Sequence, residues 1–308
     1  SRRGASSHIA PAESARDFAA RVVAPRAAEL DKSGVFPSET VQGLAEQGLL
    51  GVNLPSRYGG AEAGVVSYAL AMIEIAKACA STAVTMAVTN MVGEVVQTFG
   101  SEAQRDEHLP KLTSGEHVTG AFALSEPGAG SDAANLTATA TKTDAGWVID
   151  GQKQWITNGG YAGLFVVWAR TSGPGAKGIS TFLVKKDTPG LSIGRPENKH
   201  GLRGSNTVPL TFDECLVPAS ALLGEEGLGV RVAMMALDGG RIGGPNASGT
   251  SCASAPPASS PCQNASQSGT DRSQGIIALN ARPRTRSGKA PISGTTTGRP
   301  QCRAILRV

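Results

Sequence analysis

The first 120 residues carry apolar side chains at helical spacing. Apolar residues recur every three or four positions in four segments, 15–22, 41–45, 68–79 and 82–99. Because one face of an α-helix repeats every 3.6 residues, this pattern predicts packed helices from about Glu13 to His117. Ser38 is predicted to be an N-cap, since a serine side chain can accept a hydrogen bond from a helix N-terminus and Glu39 follows in the first turn.

Further along the chain the pattern changes to alternation, which is typical of strands with one buried face. Strands are predicted in six segments, 137–141, 147–149, 152–157, 164–168, 180–184 and 208–213. Between the second and the third of these, Asp150-Gly151 predicts a two-residue hairpin turn, because both residues tolerate positive φ angles. The sequence therefore predicts an antiparallel β-domain, in which Trp147, Phe165 and Phe212 are buried.

Helical periodicity returns in the segment 229–242 and then ends. Residues 244–308 contain no aromatic residue and no Met, and they are rich in Ser, Pro, Gly, Thr and Arg. Such a segment cannot bury enough apolar surface to offset its ordering entropy, so it is predicted to be disordered. The expected fold class is α+β in four parts: an N-terminal helical domain (1–120), a middle antiparallel β-domain (121–223), the first helix of an otherwise missing C-terminal helical domain (224–243), and the tail (244–308).

The net charge of +4 originates in the tail. From Gly244 onward there are eight Lys and Arg residues and one acidic residue, Asp271, so the tail carries +7 and the rest of the chain −3. Basic clusters can bind nucleic acid, which makes contact through Arg282, Arg284 and Arg286 one alternative. No aromatic residues interleave with these arginines, and we therefore expect no nucleic-acid partner.

The cysteines and the apolar runs bear on the compartment. Five cysteines are scattered without a CxxC pair, at positions 79, 215, 252, 262 and 302. This spacing is typical of a reducing compartment and predicts no metal framework. No apolar run approaches the roughly 18 to 20 residues of a membrane span, and no apolar signal core follows the basic opening. The predicted location is cytoplasmic, without a membrane partner.

Two glycine-rich segments carry the candidate chemistry. The first, 122–132 (FALSEPGAGSD), has two glycines, a proline and two hydroxyls, and its backbone N–H groups can hold a phosphate or the carbonyl edge of a heterocycle. The second, 153–160 (KQWITNGG), contains Trp155, which taken alone favours a core residue over a cofactor platform. Each segment alone fits a surface turn. The two in this order, followed by 201–205 (GLRGS) and 238–241 (DGGR), favour a functional site.

In these motifs the sequence resembles the acyl-CoA dehydrogenase family. The similarity extends from about residue 12 to 243, and the segments 78–82 (ACAST) and 122–128 (FALSEPG) are most similar to the short-chain, butyryl-type branch. The resemblance implies a flavoprotein that binds FAD, dehydrogenates an acyl-CoA thioester at its α and β carbons, and passes electrons to an electron-transfer flavoprotein. It also implies a homo-oligomer, and whether this chain assembles stays open.

The resemblance implies roles for individual residues. The positions that match FAD contacts are Phe122, Leu124, Ser125, Gly130, Ser131, Trp155, Ile156 and Thr157. Trp155 matches a tryptophan packed on the flavin, and Thr157 matches a hydroxyl near the reactive nitrogen of the flavin. Ser131, Asp238 and Arg241 match positions that contact acyl-CoA. Taken without the resemblance, Asp238 and Arg241 fit a solvated i, i+3 salt bridge.

The family reaction needs a carboxylate that removes the α-proton of the thioester. In most of the family this base is a glutamate late in a C-terminal helical domain, and in some branches it immediately precedes the arginine that matches Arg241. The latter position is Gly240 here, and no glutamate follows Glu226. No catalytic residue is therefore assigned, and a truncation or frameshift after about residue 243 is expected. Two interpretations remain: a dehydrogenase that is inactive as this chain, and a catalytically silent flavin- or CoA-binding fragment.

Overall fold

A computed structural model describes the backbone of residues 3–240 and the side chains of residues 11–240. The tail and Arg241 lie outside the described residues, and so does the prediction that the tail is disordered. The helices before the sheet are α1 (Arg3–Phe18), α2 (Ala24–Ser33), α3 (Ser38–Glu46), α4 (Gly64–Ala78), α5 (Ala80–Phe99) and α6 (Glu102–Thr113). A π-helical turn, Ala19–Val23, joins α1 to α2. The helical prediction is confirmed, and within residues 3–240 no helix is long and apolar enough to cross a lipid bilayer.

The helices α3 and α6 begin in different ways. Pro37 occupies the N-cap position of α3, so Ser38 lies inside the first turn, and no side-chain cap bond forms there among the described residues. The prediction of Ser38 as the N-cap is wrong. At α6, Ser101 Oγ accepts a hydrogen bond from the Gln104 N–H at 3.2 Å, and Gln104 Oε1 accepts one from the Ser101 N–H at 2.9 Å. This capping box pairs two N–H groups at the start of the helix.

The strands form one sheet in the order β1-β4-β2-β3-β7-β6, with β5 paired to β4. Their bounds are β1 (Thr119–Ala123), β2 (Thr139–Thr143), β3 (Gly146–Thr157), β4 (Ala162–Arg170), β5 (Ile179–Lys185), β6 (Leu191–Ile193) and β7 (Thr207–Val217). Most neighbours are antiparallel, as predicted, whereas β1 runs parallel to β4 and β2 pairs with β4 in parallel at Thr139. The aromatic residues predicted in the core are buried: Trp147, Phe165 and Phe212.

The predicted hairpin turn at Asp150-Gly151 is wrong, because β3 continues through both residues. The ladder to β7 shifts register between Ile149 and Gly151, and Asp150 Oδ1 accepts a hydrogen bond from the Glu214 N–H at 2.7 Å. A Cβ on Gly151 would lie 2.7 Å from Ala138, and the φ angle of +136° is one that glycine alone adopts readily. Glycine marks a β-bulge here, and the turn falls earlier, between β2 and β3.

A further helix, α7, spans residues 229–240, in agreement with the predicted third element. Its buried side chains join a core shared with the sheet and with α5 and α6: Val232, Ala233 and Ala236. Trp168 on β4 is fully buried and donates its indole N–H to the carbonyl oxygen of Gly229 at 2.7 Å. The start of α7 is therefore fixed to the centre of the sheet.

Candidate functional site

The loop that follows β1 lies against the strand β3. The Gln154 N–H donates to the carbonyl oxygen of Ser125 at 2.9 Å. Lys153 Nζ donates to the carbonyl oxygen of Leu124 at 3.3 Å, across 29 positions of sequence. The two glycine-rich motifs therefore meet through adjacent backbone segments. All eight of the predicted cofactor residues lie on these two motifs: Phe122, Leu124, Ser125, Gly130, Ser131, Trp155, Ile156 and Thr157.

A bulge in β3 places Trp155. Its φ angle is +62°, in the left-handed region that a tryptophan rarely adopts, and the register to β7 shifts between Lys153 and Ile156. The bulge interrupts the alternation of side chains, so Trp155 is 43% exposed while the adjacent Ile156 is buried in the core. Backbone strain that presents a large aromatic ring at the surface is a common feature of ligand sites.

Asn158 fixes the turn after β3. It is fully buried with a φ angle of +67°, and its N–H donates to the carbonyl oxygen of Asn206 at 2.8 Å. Its Nδ2 donates to the carbonyl oxygens of Thr85 at 3.2 Å and Gly120 at 3.1 Å, which ties the turn to α5 and β1. The sequence analysis missed this residue. The signal was the Asn-Gly pair, since asparagine tolerates the left-handed region better than most residues.

A buried ion pair joins the loop to the strand. Lys153 Nζ lies 2.7 Å from Glu126 Oε1, and the two side chains are 0% and 3% exposed. Glu126 Oε2 accepts hydrogen bonds from the Thr137 N–H at 2.6 Å and the Thr137 hydroxyl at 2.8 Å. Glu126 Oε1 also accepts one from the Ala138 N–H at 3.0 Å. The sequence analysis missed both charges. Lys153 lies four positions after the buried Ile149, and side chains at such a spacing share one face of a strand, so its burial could have been predicted.

Both members of the pair are ionised at neutral pH. Burial raises the pKa of Glu126, but the charge and hydrogen bond of Lys153 and the bonds from Thr137 hold that pKa below its ordinary value. Burial lowers the pKa of Lys153 to about 8 against the opposing charge of Glu126, which leaves the ammonium protonated at pH 7. The pair is therefore a fixed dipole between the two motifs.

The groups at the edge of the loop suit a flavin. Gly130 and Ser131 are exposed on the loop, further along the chain than Ser125. Within residues 3–240, no protein group accepts a hydrogen bond from the backbone N–H of Ser125, Gly130 or Ser131. A flavin ring needs a flat apolar platform on one face and hydrogen-bond donors at its carbonyl edge, and a loop of successive N–H groups supplies such donors. The exposed side chain of Trp155 is a flat apolar group of the kind that such a platform requires.

The end of α7 lies beside α5. A Cβ on Gly239 would lie 3.2 Å from Glu94 Oε2, and a Cβ on Gly240 would lie 3.2 Å from Met91 Sδ. Asp238 is exposed on α7, on a different element from the loop and the bulge. A carboxylate that the sequence analysis did not consider, that of Glu94, therefore lies next to the glycine pair.

The described residues contain no group of three or more His, Cys, Asp or Glu side chains that could hold a metal ion. Cys79 and Cys215 are buried free thiols. Burial, with the nearby charge of Asp150, raises the pKa of Cys215 to about 11, so this residue is a neutral thiol at pH 7. Neither cysteine belongs to the loop or the bulge.

Two protein-family descriptions match this chain, one over the N-terminal helical part and one over the β-sheet part. The family described as "Acyl-CoA dehydrogenase, N-terminal domain" matches residues 6–116. The family described as "Acyl-CoA dehydrogenase, middle domain" matches residues 121–215. Together the two domains account for more than half of the chain.

Individual relatives agree with these matches. The short-chain specific acyl-CoA dehydrogenase of Homo sapiens mitochondria is 44% identical over 75% of this chain and 56% of its own length. The butyryl-CoA dehydrogenase structure from Megasphaera elsdenii aligns with a TM-score of 0.77 at 38% identity, over 79% of this chain and 65% of its own. An acyl-CoA dehydrogenase from Bacillus anthracis complexed with FAD aligns with a TM-score of 0.72 at 35% identity, over 77% and 41%. The chain thus spans little more than half the length of the human relative, and it belongs to the acyl-CoA dehydrogenase family.

Proposed function

We propose that this chain forms the flavin- and acyl-CoA-binding part of an FAD-dependent dehydrogenase that acts on short acyl-CoA thioesters. The observation that carries the proposal is the exposed side chain of Trp155, which lies in a strained bulge directly after the residue whose N–H bonds the Ser125 carbonyl oxygen. The similarity to the human short-chain enzyme and to a butyryl-CoA dehydrogenase supports a short acyl chain. The Bacillus anthracis relative, complexed with FAD, supports the cofactor.

The residues of this chain would bind and orient the flavin. Trp155 would cover one face of the ring system, and the free N–H groups of Ser125 and Ser131 would donate to its polar edge. Thr157, half-buried at the end of β3, adds a hydroxyl near the platform. Phe122 packs on Trp168 with ring centroids 4.3 Å apart, which gives the site an apolar wall. When bound, FAD supplies the acceptor for the hydrogen that leaves the β carbon as hydride.

The thioester and the electron acceptor are assigned by the family resemblance. Ser131, Asp238 and Arg241 are proposed to contact acyl-CoA, with Ser131 on the loop and Asp238 at the end of α7. An electron-transfer flavoprotein is proposed to reoxidise the flavin. Because the carbonyl of the thioester must be polarised during removal of the α-proton, the substrate needs positioned hydrogen-bond donors as well as a base.

We further propose that the 308-residue polypeptide alone does not catalyse substantial dehydrogenation. Gly240 supplies no carboxylate, and loss of a general base costs about 10²- to 10⁴-fold in rate. Glu94 lies beside Gly239, with Oε1 bonded by Asn53 Nδ2 at 2.7 Å, but it matches neither position at which the family places its base. The glycine at position 240 also favours the second candidate function, a catalytically silent fragment that binds flavin or CoA.

Titration with FAD tests the cofactor site. The purified chain is expected to quench flavin fluorescence on binding, and Trp155→Ala is expected to weaken the affinity about tenfold, because stacking on an aromatic side chain contributes about 1–3 kcal/mol. Tyr161→Ala is the matched control, since Tyr161 is an aromatic residue with 37% exposure that is outside the proposed contacts. Equal affinities for the two variants would contradict the assignment of Trp155.

Flavin bleaching by butyryl-CoA under anaerobic conditions tests the activity. Neither the chain nor its Gly240→Glu variant is expected to bleach rapidly. A Cβ at position 240 would lie 3.2 Å from Met91 Sδ, so the Met91 side chain would have to move by a few tenths of an ångström to admit the new side chain. Rapid bleaching of the unmodified chain would show that a base exists elsewhere and would remove the silent-fragment alternative.

A further inference from the structure

The Glu126–Lys153 pair stands where the two proposed cofactor segments meet. Glu126 directly follows Ser125, and Lys153 lies two residues before Trp155. A single atom, Lys153 Nζ, bonds both the carbonyl oxygen of Leu124 at 3.3 Å and Glu126 Oε1 at 2.7 Å. The bond from the Gln154 N–H to the carbonyl oxygen of Ser125 continues this seam at 2.9 Å. Three consecutive residues of the loop therefore bond two consecutive residues of the strand.

Glu126 also holds the far end of the loop. Its carboxylate bonds the backbone N–H groups of Thr137 and Ala138, eleven and twelve residues later. Its own backbone exchanges hydrogen bonds with Ala129, at 2.9 Å and 3.1 Å. Arg170 Nη2 adds a bond to the carbonyl oxygen of Ala134 at 2.8 Å. One buried carboxylate thus fixes both ends of the loop that carries Gly130 and Ser131.

A buried ion pair of this kind is a poor explanation for stability alone. The desolvation of two charges offsets most of their attraction, and apolar side chains of equal volume often stabilise a fold as well. Apolar side chains cannot reproduce the directional hydrogen bonds of the pair, because the carboxylate accepts four hydrogen bonds and the ammonium donates two. Direction matters where two segments must stay in register, and a ligand that touches both segments is sensitive to that register.

We propose that the Glu126–Lys153 pair is a positioning device, which fixes the Ser125 backbone relative to the Trp155 ring at the geometry that bound flavin requires. The inference rests on the proposed function and deepens it. Both residues act through their neighbours: Lys153 through the carbonyl of Leu124 and the adjacent bulge, and Glu126 through the two ends of the loop. Before flavin binds, the pair holds the loop and the strand β3 in one relative arrangement. Flavin binding therefore does not have to order these two segments.

The test compares neutralised pairs in the full chain. Glu126→Gln/Lys153→Met removes both buried charges with little change in volume. Arg26→Gln/Glu39→Gln removes an exposed pair of the same type, with an N–O distance of 2.8 Å and side chains that are 49% and 82% exposed. The measurements are the FAD dissociation constant, the visible absorption band of bound flavin, the urea unfolding midpoint, and hydrogen exchange of residues 124–138 and 152–156 without flavin.

The buried double variant is expected to unfold at a midpoint close to that of the parent chain. It is expected to bind FAD at least about tenfold more weakly, with a shifted absorption band, and to exchange amides faster in residues 124–138. The exposed double variant is expected to match the parent chain in all four measurements. Parent-like FAD affinity and parent-like exchange in the buried double variant would overturn the inference.

A second variant covers a failure of the double variant to fold. Glu126→Asp keeps the charge and shortens the reach by one methylene, so it cannot span Lys153 and Thr137 together, and an intermediate loss of FAD affinity is expected. Parent-like affinity in this variant would also overturn the inference. If the parent chain itself binds no FAD, the proposed function fails, while the exchange rates without flavin still decide whether the pair positions the loop.

Discussion

Two buried polar clusters in this protein respond to burial in opposite ways. Glu126 and Lys153 both remain charged, 2.7 Å apart, between the loop and β3. His108 and His117, with ring centroids 5.7 Å apart, lose their charge, because burial lowers the pKa of His108 to about 4 and also lowers that of His117. Within the described residues, His108 Nδ1 and His117 Nε2 have no hydrogen-bond partner.

The difference lies in the neighbours of each cluster. The carboxylate of Glu126 receives donors from Lys153, Thr137 and Ala138, so its charge is solvated by the protein itself. The imidazole of His108 is desolvated without comparable acceptors, and the charge of nearby Glu107 only partly offsets its burial. A buried group keeps its charge where polar neighbours replace the water that it loses.

The largest expected effect comes from breaking the charged cluster on one side. Lys153→Met leaves the Glu126 carboxylate buried without its cation, and the free energy of unfolding should fall by about 3–5 kcal/mol. Urea unfolding followed by circular dichroism measures this change. Arg26→Gln, which breaks an exposed pair, is the control and should change stability by no more than about 1 kcal/mol. If Lys153→Met lowered the free energy of unfolding by only about 1 kcal/mol, as in the control, water would have to reach the Glu126 carboxylate.

The neutral cluster should appear in the pH dependence of stability. The folded pKa of His108, about 4, lies below its unfolded value of about 6.5, so the unfolded chain binds more protons between these pH values. The contribution of His108 to the free energy of unfolding should therefore be fully present above pH 6.5 and be lost as the pH falls toward 4. The loss attributable to His108 should be on the order of 2–3 kcal/mol, measured by urea unfolding at several pH values.

Variants separate this histidine from other titrating groups. His108→Gln should reduce the pH dependence between 4 and 6.5, since the group that takes up a proton on unfolding is removed. His200→Gln replaces an exposed histidine and is the matched control for a histidine substitution. An unchanged slope in His108→Gln would mean that the imidazole is protonated in the folded state.

The smallest expected effect concerns neutral polar groups at helix starts. Ser101→Ala removes a side-chain oxygen that accepts the Gln104 N–H at 3.2 Å and should lower the free energy of unfolding by about 1 kcal/mol. Ser38→Ala changes a serine that does not cap α3 and should stay within about 0.5 kcal/mol of the parent chain. Thermal or urea unfolding of both variants measures the difference. Equal losses would mean that Ser38 stabilises α3 in another way.

The two glycine-rich motifs, 122–132 and 153–160, could be located in the sequence, but their geometry could not. The segment around Trp155 was assigned by its resemblance to a family, while its left-handed backbone and exposure depend on the shifted register with β7. The sequence predicts a turn at Asp150-Gly151 where the structure has a β-bulge. Residues that tolerate positive φ angles occur in both kinds of structure, so the sequence alone does not distinguish them. The close approach of Ala138, which decides between them, comes from the segment just before β2.

The sequence by itself determined the order of the main elements, because the periodicities that predict helices from about residue 13 to 117, strands from residue 137 and a helix over 229–242 are local properties. The capping box at Ser101 is local too and could have been found by its spacing to Gln104. Only the tertiary structure decided that Lys153 pairs with Glu126, that Asn158 reaches α5 and β1, and that two histidines become neutral neighbours. These contacts join residues that are distant in the chain, and the energies of the charges depend on burial, which no local pattern of residues contains.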